Sequence, residues 1–538
     1  MNATTSILPP IPDLITGQRI LARLPMANPM EAHQEISRVL ESLAQTPLET
    51  SEYFELLEQL RTPAMAVQAN LARRINSLPL PLDDVEERVF GLLSHCWLKL
   101  SAAYKHCFLS IPSTDAMAAI ALQRSLVHLA LGIREYYRAR REVPRGLWLS
   151  VHELAGLAEN CGIADEPVWD EQNEPGRQTS CAATFAALLL ADLGGPFGLS
   201  VRDQNLVWRW ALHWALLTRV RRFEADEPLP AYVIDLAQDA PLVGTQSIDN
   251  ADTLRCLDTS RLAAQIRMVM HQLQTRSAPA ELGLGEDCSA GQCRRLLEHL
   301  AGPWGQAHAP RRYPRHRGDA SAVIASGLDT IHYFISGKEF AAPTSAPERS
   351  HAAYETLFAF RHMVDPEKPL EIQQEQLERK GYLTEQWAII DHSANGMRLC
   401  RSTVGRRVHH GQLLAISTSV ESPFFLAHIT WLMQESAGEL VAGVEALAAA
   451  PRAATVRVMT QAEAHRQPYA PALLLPAVGT EDLPETLIVP PDTYRALRIV
   501  EVIVDETTQQ FELMHVINAG PDYERVSFAP APAGDPVR

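Results

Sequence analysis

The sequence predicts a multi-domain α + β protein: an N-terminal all-α region, either a helical bundle or a repeat-like stack, then a β domain with a helical insertion and a small C-terminal β domain. Three observations lead there. The chain has 538 residues, more than one hydrophobic core supports. Apolar residues recur at spacings of three and four from about residue 30 to about residue 300. Past about residue 303 the period shortens to two, in short runs bounded by proline, glycine and acidic turns.

Composition narrows the function. Hydrophobic residues make up 46% and charged residues 21%, the balance of a globular protein. A net charge of −16 argues against general affinity for nucleic acid or an anionic membrane, so an anionic ligand needs a local basic island. The opening MNATTSILPPIPDLITG lacks the basic and apolar regions of a signal peptide, and no run reaches the roughly 18 apolar residues of a membrane helix. The expectation is a cytoplasmic protein without membrane insertion. The eight cysteines stand singly, which points to small core residues rather than a disulfide framework or zinc ribbon. His95-Cys96 and His106-Cys107, 11 residues apart, admit a metal reading, but their apolar surroundings favour packing.

In chain order, residues 1–30 read as an irregular segment and 31–303 as a helical domain. Leu122, Leu126, Leu129, Ile133 and Tyr137 form one helical stripe. After the turn Pro144-Arg145-Gly146 comes a second, Leu147, Val151, Leu154 and Ala158, which predicts an antiparallel helix pair. No strict period is present, so a repeat stack and a generic bundle both stand. Trp208, Trp210 and Trp214 with Phe223 fit core or a helix interface better than a binding face.

Residues 304–452 read as the β domain. Phe425, Ala427, Ile429 and Trp431 alternate, as do Leu440, Ala442, Val444 and Ala446. Residues 346–380 are polar and helix-favouring, which predicts a helical insertion. From 453 to 538, runs such as PALLLPAV, ETLIVPP and LRIVEVIV predict a small C-terminal β domain with a loose tail.

Two motifs carry chemistry. Arg311-Arg312-Tyr313-Pro314-Arg315, followed by Arg317, places four arginines in seven positions of an acidic chain. Asp391-His392-Ser393-Ala394-Asn395-Gly396 lies between two apolar runs, where Asn-Gly is a strong hairpin signal. Alone, the first reads as a solvated surface and the second as a turn. Arginine can pair bidentately with phosphate or a carboxylate, or stack on a planar ring. The Asp391 carboxylate can accept hydrogen bonds, Ser393 supplies a hydroxyl, and Gly396 admits close approach.

Together the motifs resemble the two halves of the PilZ signature, RxxxR and (D/N)xSxxG, as Arg311 with Arg315 and as Asp391, Ser393 and Gly396. Trp431 followed by Gly443-Val444 is similar to the closing strands of that fold, and the likeness spans about 305–450. The resemblance to PilZ-domain cyclic-di-GMP receptors implies a six-stranded antiparallel β-barrel. It also implies that cyclic-di-GMP binds at Arg311, Arg312, Arg315, Asp391, Ser393, Asn395 and Gly396, with no further cofactor or metal. The 76-residue separation of Arg315 and Asp391 departs from the shorter family spacing, and the helical insertion accounts for most of the excess.

The implied function is a signalling effector that couples messenger binding to an unidentified protein partner held by the helical domain. The rival from another class is a scaffold whose PilZ-like barrel contacts only protein. A third reading, an enzyme in the helical domain, requires a concave pocket with converging ionisable groups there. The chain has no Walker A loop, GxSxG elbow, HExxH or dinucleotide fingerprint, and no messenger-making or messenger-breaking motif, so the expectation is a non-enzyme.

Overall fold

The computed structural model describes residues 10–173, 178–224, 232–244, 251–275, 277–305, 314–343, 379–419, 422–459, 468–479 and 484–531. It divides into two compact units, Met1–Arg311 with Met433–Ala437, and Arg312–Leu432 with Gly438–Arg538.

The first unit opens with helices α1 (Leu14–Ala22), α2 (Pro29–Gln45), α3 (Thr50–Ala72), α4 (Asp84–Ser110), α5 (Ala116–Arg138) and α6 (Leu147–Asn160). A two-strand ribbon, β1 (Val168–Trp169) with β2 (Gln178–Thr179), precedes α7 (Cys181–Leu193) and α8 (Val201–Trp214). The helix starts are written locally. The Asp83 carboxylate accepts from the Glu86 N–H at 2.9 Å while the Glu86 carboxylate accepts from the Asp83 N–H, which satisfies two donors at the head of α4. Gly146, at φ 91°, turns the chain into α6 where a side chain would be strained.

The first predicted stripe is core throughout, and the second is core except for Leu147, which is only partly buried. No member of Leu122, Leu126, Leu129, Ile133 and Tyr137 is more than 4% exposed, and Val151, Leu154 and Ala158 are buried equally well. Each large apolar side chain so buried contributes about 1.5–3 kcal/mol of transfer free energy. Trp208, Trp210 and Trp214 are buried as well. Among the described residues α5 alone is long and apolar enough to cross a membrane, where the sequence reading expected no such stretch. Some 78% of its apolar window is buried inside the unit, and it carries the buried ions Arg124 and Glu135.

An ionic knot lies inside this unit. Arg61 donates to both Asp170 oxygens, at 2.9 and 3.1 Å. Arg124 reaches Asp170 at 3.1 Å and Glu58 at 3.3 Å, and the Tyr104 hydroxyl donates to Glu58 at 2.7 Å. Burial pushes Asp170 up, but the two guanidiniums outweigh it and hold the carboxyl below its ordinary range.

Two features depart from the sequence reading. Helix α1 occupies part of the segment expected to be irregular, started by Asp13, whose side chain accepts from the Thr16 N–H at 2.7 Å. The stretch read as helical throughout also contains a four-stranded antiparallel sheet, β3 (Arg219–Arg222), β4 (Tyr232–Asp235), β5 (Val243–Gly244) and β6 (Leu254–Asp258), in the order β3-β6-β4-β5. Strands of two to five residues, one of them RVRR, are too short and too polar to show a period of two. Helices α9 (Ser260–Gln274) and α10 (Ala290–Trp304) complete the unit.

The second unit holds two barrels. Its elements are β7 (His316–Arg317), β8 (Ser321–Ser326), α11 (Leu328–Ser336), β9 (Thr384–His392), β10 (Gly396–Ser402), β11 (Leu413–Ser417), β12 (Phe425–Gln434) and β13 (Glu439–Ala446). Strands β8 to β13 close a six-stranded ring in the order β10-β13-β12-β11-β8-β9, sealed by the β9–β10 pairing, with β7 added on β9. The expected helical insertion, 346–380, lies almost wholly outside the described residues.

The C-terminal β domain is a second closed barrel, β14 (Arg452–Val458), β15 (Ala470–Leu475), β16 (Thr486–Val489), β17 (Ile499–Val504), β18 (Thr507–Ala519) and β19 (Glu524–Pro530), closed by β14 on β17. Ala472, Leu474, Leu487 and Val489 fill its interior. Their neighbours Leu473, Leu475 and Ile488 point the other way, into a seam with Leu413, Ala415 and Leu426 of the first barrel and Ile331 of α11. Both faces of β15 and β16 are therefore buried, which explains apolar runs without alternation. The Leu413 N–H also donates to the Asp522 carboxylate at 3.0 Å across this seam.

Candidate ligand-binding site

The site is built on the β9–β10 hairpin. Its turn is closed by the Ser393 N–H donating to the Gly396 carbonyl at 2.8 Å. The Ser393 hydroxyl donates to Asn395 Oδ1 at 3.0 Å and lies 3.3 Å from the same Gly396 carbonyl. The Asn395 carbonyl accepts from the Ala446 N–H at 2.9 Å, tying the turn to the end of β13. A Cβ on Gly396 would stand 2.4 Å from the Val444 carbonyl oxygen, so only glycine lets the two backbones meet.

The arginine arm runs into this hairpin through β7. His316 pairs with His392 and Arg317 with Asp391 in antiparallel register. Arg315 then reaches Asp391, with Nη1 donating to Oδ1 at 2.7 Å, and the pair stays partly exposed at 37% and 20%. Gly318 acts through space rather than flexibility: a Cβ there would come within 2.8 Å of the Ile389 side chain, and its N–H donates to the Ile390 carbonyl at 3.1 Å.

Thus Arg315, Asp391, Ser393, Asn395 and Gly396 come together at one end of the barrel. Arg311 and Arg312 lie outside the described residues. Two arginines that the sequence reading left out of the site stand beside Asp391: Arg317 opposite it on β7 and Arg398 opposite it on β10. Arg398 also pairs with Gly443 of β13, and its guanidinium lies 5.8 Å from the Trp431 ring centroid. The signal for Arg398 was its position two residues after Gly396, obscured by a bulge in β9 at Ile390.

A further basic stretch, Arg406-Arg407-Val408-His409-His410, is anchored elsewhere by its backbone. The Arg406 N–H donates to Glu385 near the start of β9, six residues from Asp391, or about 20 Å along an extended strand.

Three family models match the chain: Cyclic-di-GMP receptor FimW, N-terminal domain, over residues 16–225; Cyclic-di-GMP receptor FimW, middle PilZ domain, over 231–368; and FimW C-terminal beta-barrel domain, over 454–531. The chain belongs to this family of PilZ-domain cyclic-di-GMP receptors. A curated relative, Cyclic-di-GMP receptor FimW of Pseudomonas aeruginosa, is 25% identical over 514 residues, 87% of this chain and 82% of the relative. The family's three parts follow one another here in the same order as the helices, the first barrel and the second barrel. The middle-domain match takes in β4 to β6, α9, α10, the arginine arm, β8 and α11, and ends before β9. The Asp391 hairpin thus joins the arm by geometry, outside the matched span.

Among the described residues no group of three His, Cys, Asp or Glu side chains could hold a metal ion. Cys96 and Cys107 are buried and their thiols pushed up to about 12 by burial, whereas His95 and His106 are exposed. Burial lowers the pKa of His152, His213 and His428, as expected for packed imidazoles.

Proposed function

We propose that this protein is a cyclic-di-GMP receptor that binds the messenger where the arginine arm meets the β9–β10 hairpin. The observation that carries this reading is the 2.7 Å approach of Arg315 to Asp391, which unites the two motif halves across 76 positions. The curated relative, named as a cyclic-di-GMP receptor, supports the ligand. In this reading Arg311, Arg312 and Arg315 take phosphate and guanine edges, Asp391 accepts from a guanine N1 and N2, and Ser393, Asn395 and Gly396 shape the turn beneath. Arg317 and Arg398 add positive potential beside Asp391.

The messenger competes with Asp391 for Arg315, so binding redistributes an existing ion pair and draws on the arm that follows the helical unit. That unit then presents an altered surface to a protein partner in the cytoplasm. The protein acts as a binding device, not an enzyme.

The test is isothermal titration of the full chain with cyclic-di-GMP, beside the double variant Arg311→Ala/Arg315→Ala and a GTP control. Saturable heat at micromolar concentration or below, absent in the variant and with GTP, supports the receptor and reports the stoichiometry. No heat and no thermal stabilisation would favour the scaffold reading, in which the barrel contacts only protein.

A further inference from the structure

The first unit carries a cleft of about 300 Å³ between α3, α5, α8 and the loop after β1. Its floor is the ionic knot, where charges balance: Arg61 and Arg124 face Asp170 and Glu58. Nearby, Arg138 pairs with Glu135 at 3.1 Å and Arg209 with Asp287 at 2.6 Å. Arg134, on the cleft wall, is different. Among the described residues no carboxylate forms an ion pair with it; Nη2 donates to the Asn205 side-chain oxygen at 2.7 Å, and the guanidinium lies 5.5 Å from the Trp208 ring centroid.

Desolvation by the packed wall and the neighbouring Arg138 pull Arg134 downward against the opposing charge of Glu135, although the side chain is only partly buried and its bond to Asn205 is open to solvent. A guanidinium keeps its proton, so the wall presents to the cleft a cation that is in no ion pair among the described residues. The rest of the lining mixes neutral polar groups, Gln123, Asn173 and Thr179, with apolar Met65, Val127 and Leu131, and includes His128, which burial drives to about 3. Glu171 is exposed.

We infer that this cleft is a second ligand site, separate from the barrel, for a small molecule whose phosphate or carboxylate group pairs with Arg134. In a chain of net charge −16 such an anion needs a built cation, and the amides and hydroxyl around Arg134 supply hydrogen bonds to the rest of the molecule. The site holds rather than transforms its ligand. Asp170 stays ionised and His128 neutral near neutral pH, so neither exchanges protons there.

The test is thermal unfolding of the full chain with inorganic phosphate or succinate, each against potassium chloride at matched ionic strength, for wild type and Arg134→Gln. Wild type is expected to gain a saturable rise in melting temperature, half-complete below about 5 mM, with at least one anion. Whichever anion acts identifies the head group. In the variant the response weakens at least about tenfold, the loss of one charge-assisted pair. Its melting temperature without anion stays close to that of wild type, because Arg134 is partly exposed and is in no ion pair among the described residues. Overturning results are no shift beyond the chloride control, an unchanged anion response in the variant, or a variant less stable in anion-free buffer, which would make Arg134 a structural residue.

Discussion

The Arg315 guanidinium donates to the Asp391 carboxylate at 2.7 Å, joining the arm before the first barrel to the hairpin that closes its second and third strands. The pair is partly exposed, so its own contribution to stability is at most about 1 kcal/mol. Its proposed role in ligand capture is larger. Arg315→Ala and Asp391→Ala should each shift urea unfolding by no more than about 1 kcal/mol while weakening cyclic-di-GMP binding at least about tenfold by titration. Comparable losses in both measurements would mean that the pair is structural.

Gly443 lies under the Trp431 indole, where an added Cβ would sit 1.9 Å from Nε1. Gly443→Ala should therefore destabilise the first barrel by about 1–3 kcal/mol through overpacking. In the double variant Gly443→Ala/Trp431→Ala the added methyl no longer clashes. Its loss should be smaller than the sum of the single losses, as read from a double-mutant cycle in urea.

Asp170 is 1% exposed and shared by Arg61 and Arg124. Asp170→Asn leaves two buried cations short of a partner and should cost about 3–5 kcal/mol at neutral pH. The sign of the pH dependence follows from the depressed folded pKa. The stabilisation is complete above the unfolded value near about 4 and fades as pH falls through the lower folded value. The gap between wild type and variant should narrow on acidification below about pH 4, measured by circular dichroism during denaturant unfolding.

Asp522 behaves in the opposite sense. Burial raises its carboxyl to about 6, although the Leu413 N–H donates to it. The folded state holds a proton that the unfolded chain releases, so stability falls as pH climbs from about 4 to about 6 and then levels. Asp522→Asn keeps an acceptor for Leu413 without the buried charge. It should be more stable than wild type by about 1–3 kcal/mol at pH 7 to 8, with the difference disappearing near pH 4. A constant difference across that range would remove Asp522 from the titration.

Legibility in the sequence followed the range of each signal. The α5 and α6 stripes were readable because their residues repeat within one helix, and the Asn395-Gly396 turn because it is closed by hydrogen bonds among adjacent residues. The strands β3 to β6 were not, since each is too short for a pattern and derives its order from the others. The union of Arg315 with Asp391 was reached only through resemblance to a family, because no local rule relates residues 76 apart.

By itself, then, the sequence determined the succession of a helical region and two β domains, since periodicity is carried by neighbouring positions. Only the tertiary structure decided that Arg317, Asp391 and Arg398 share one rung of a sheet, that Leu473 and Leu475 turn away from their barrel into a seam, and that among the described residues Arg134 is in no ion pair. Register, burial on a second face and charge balance depend on residues brought together by strand pairing and packing, and such distances are absent from the order of residues along a chain.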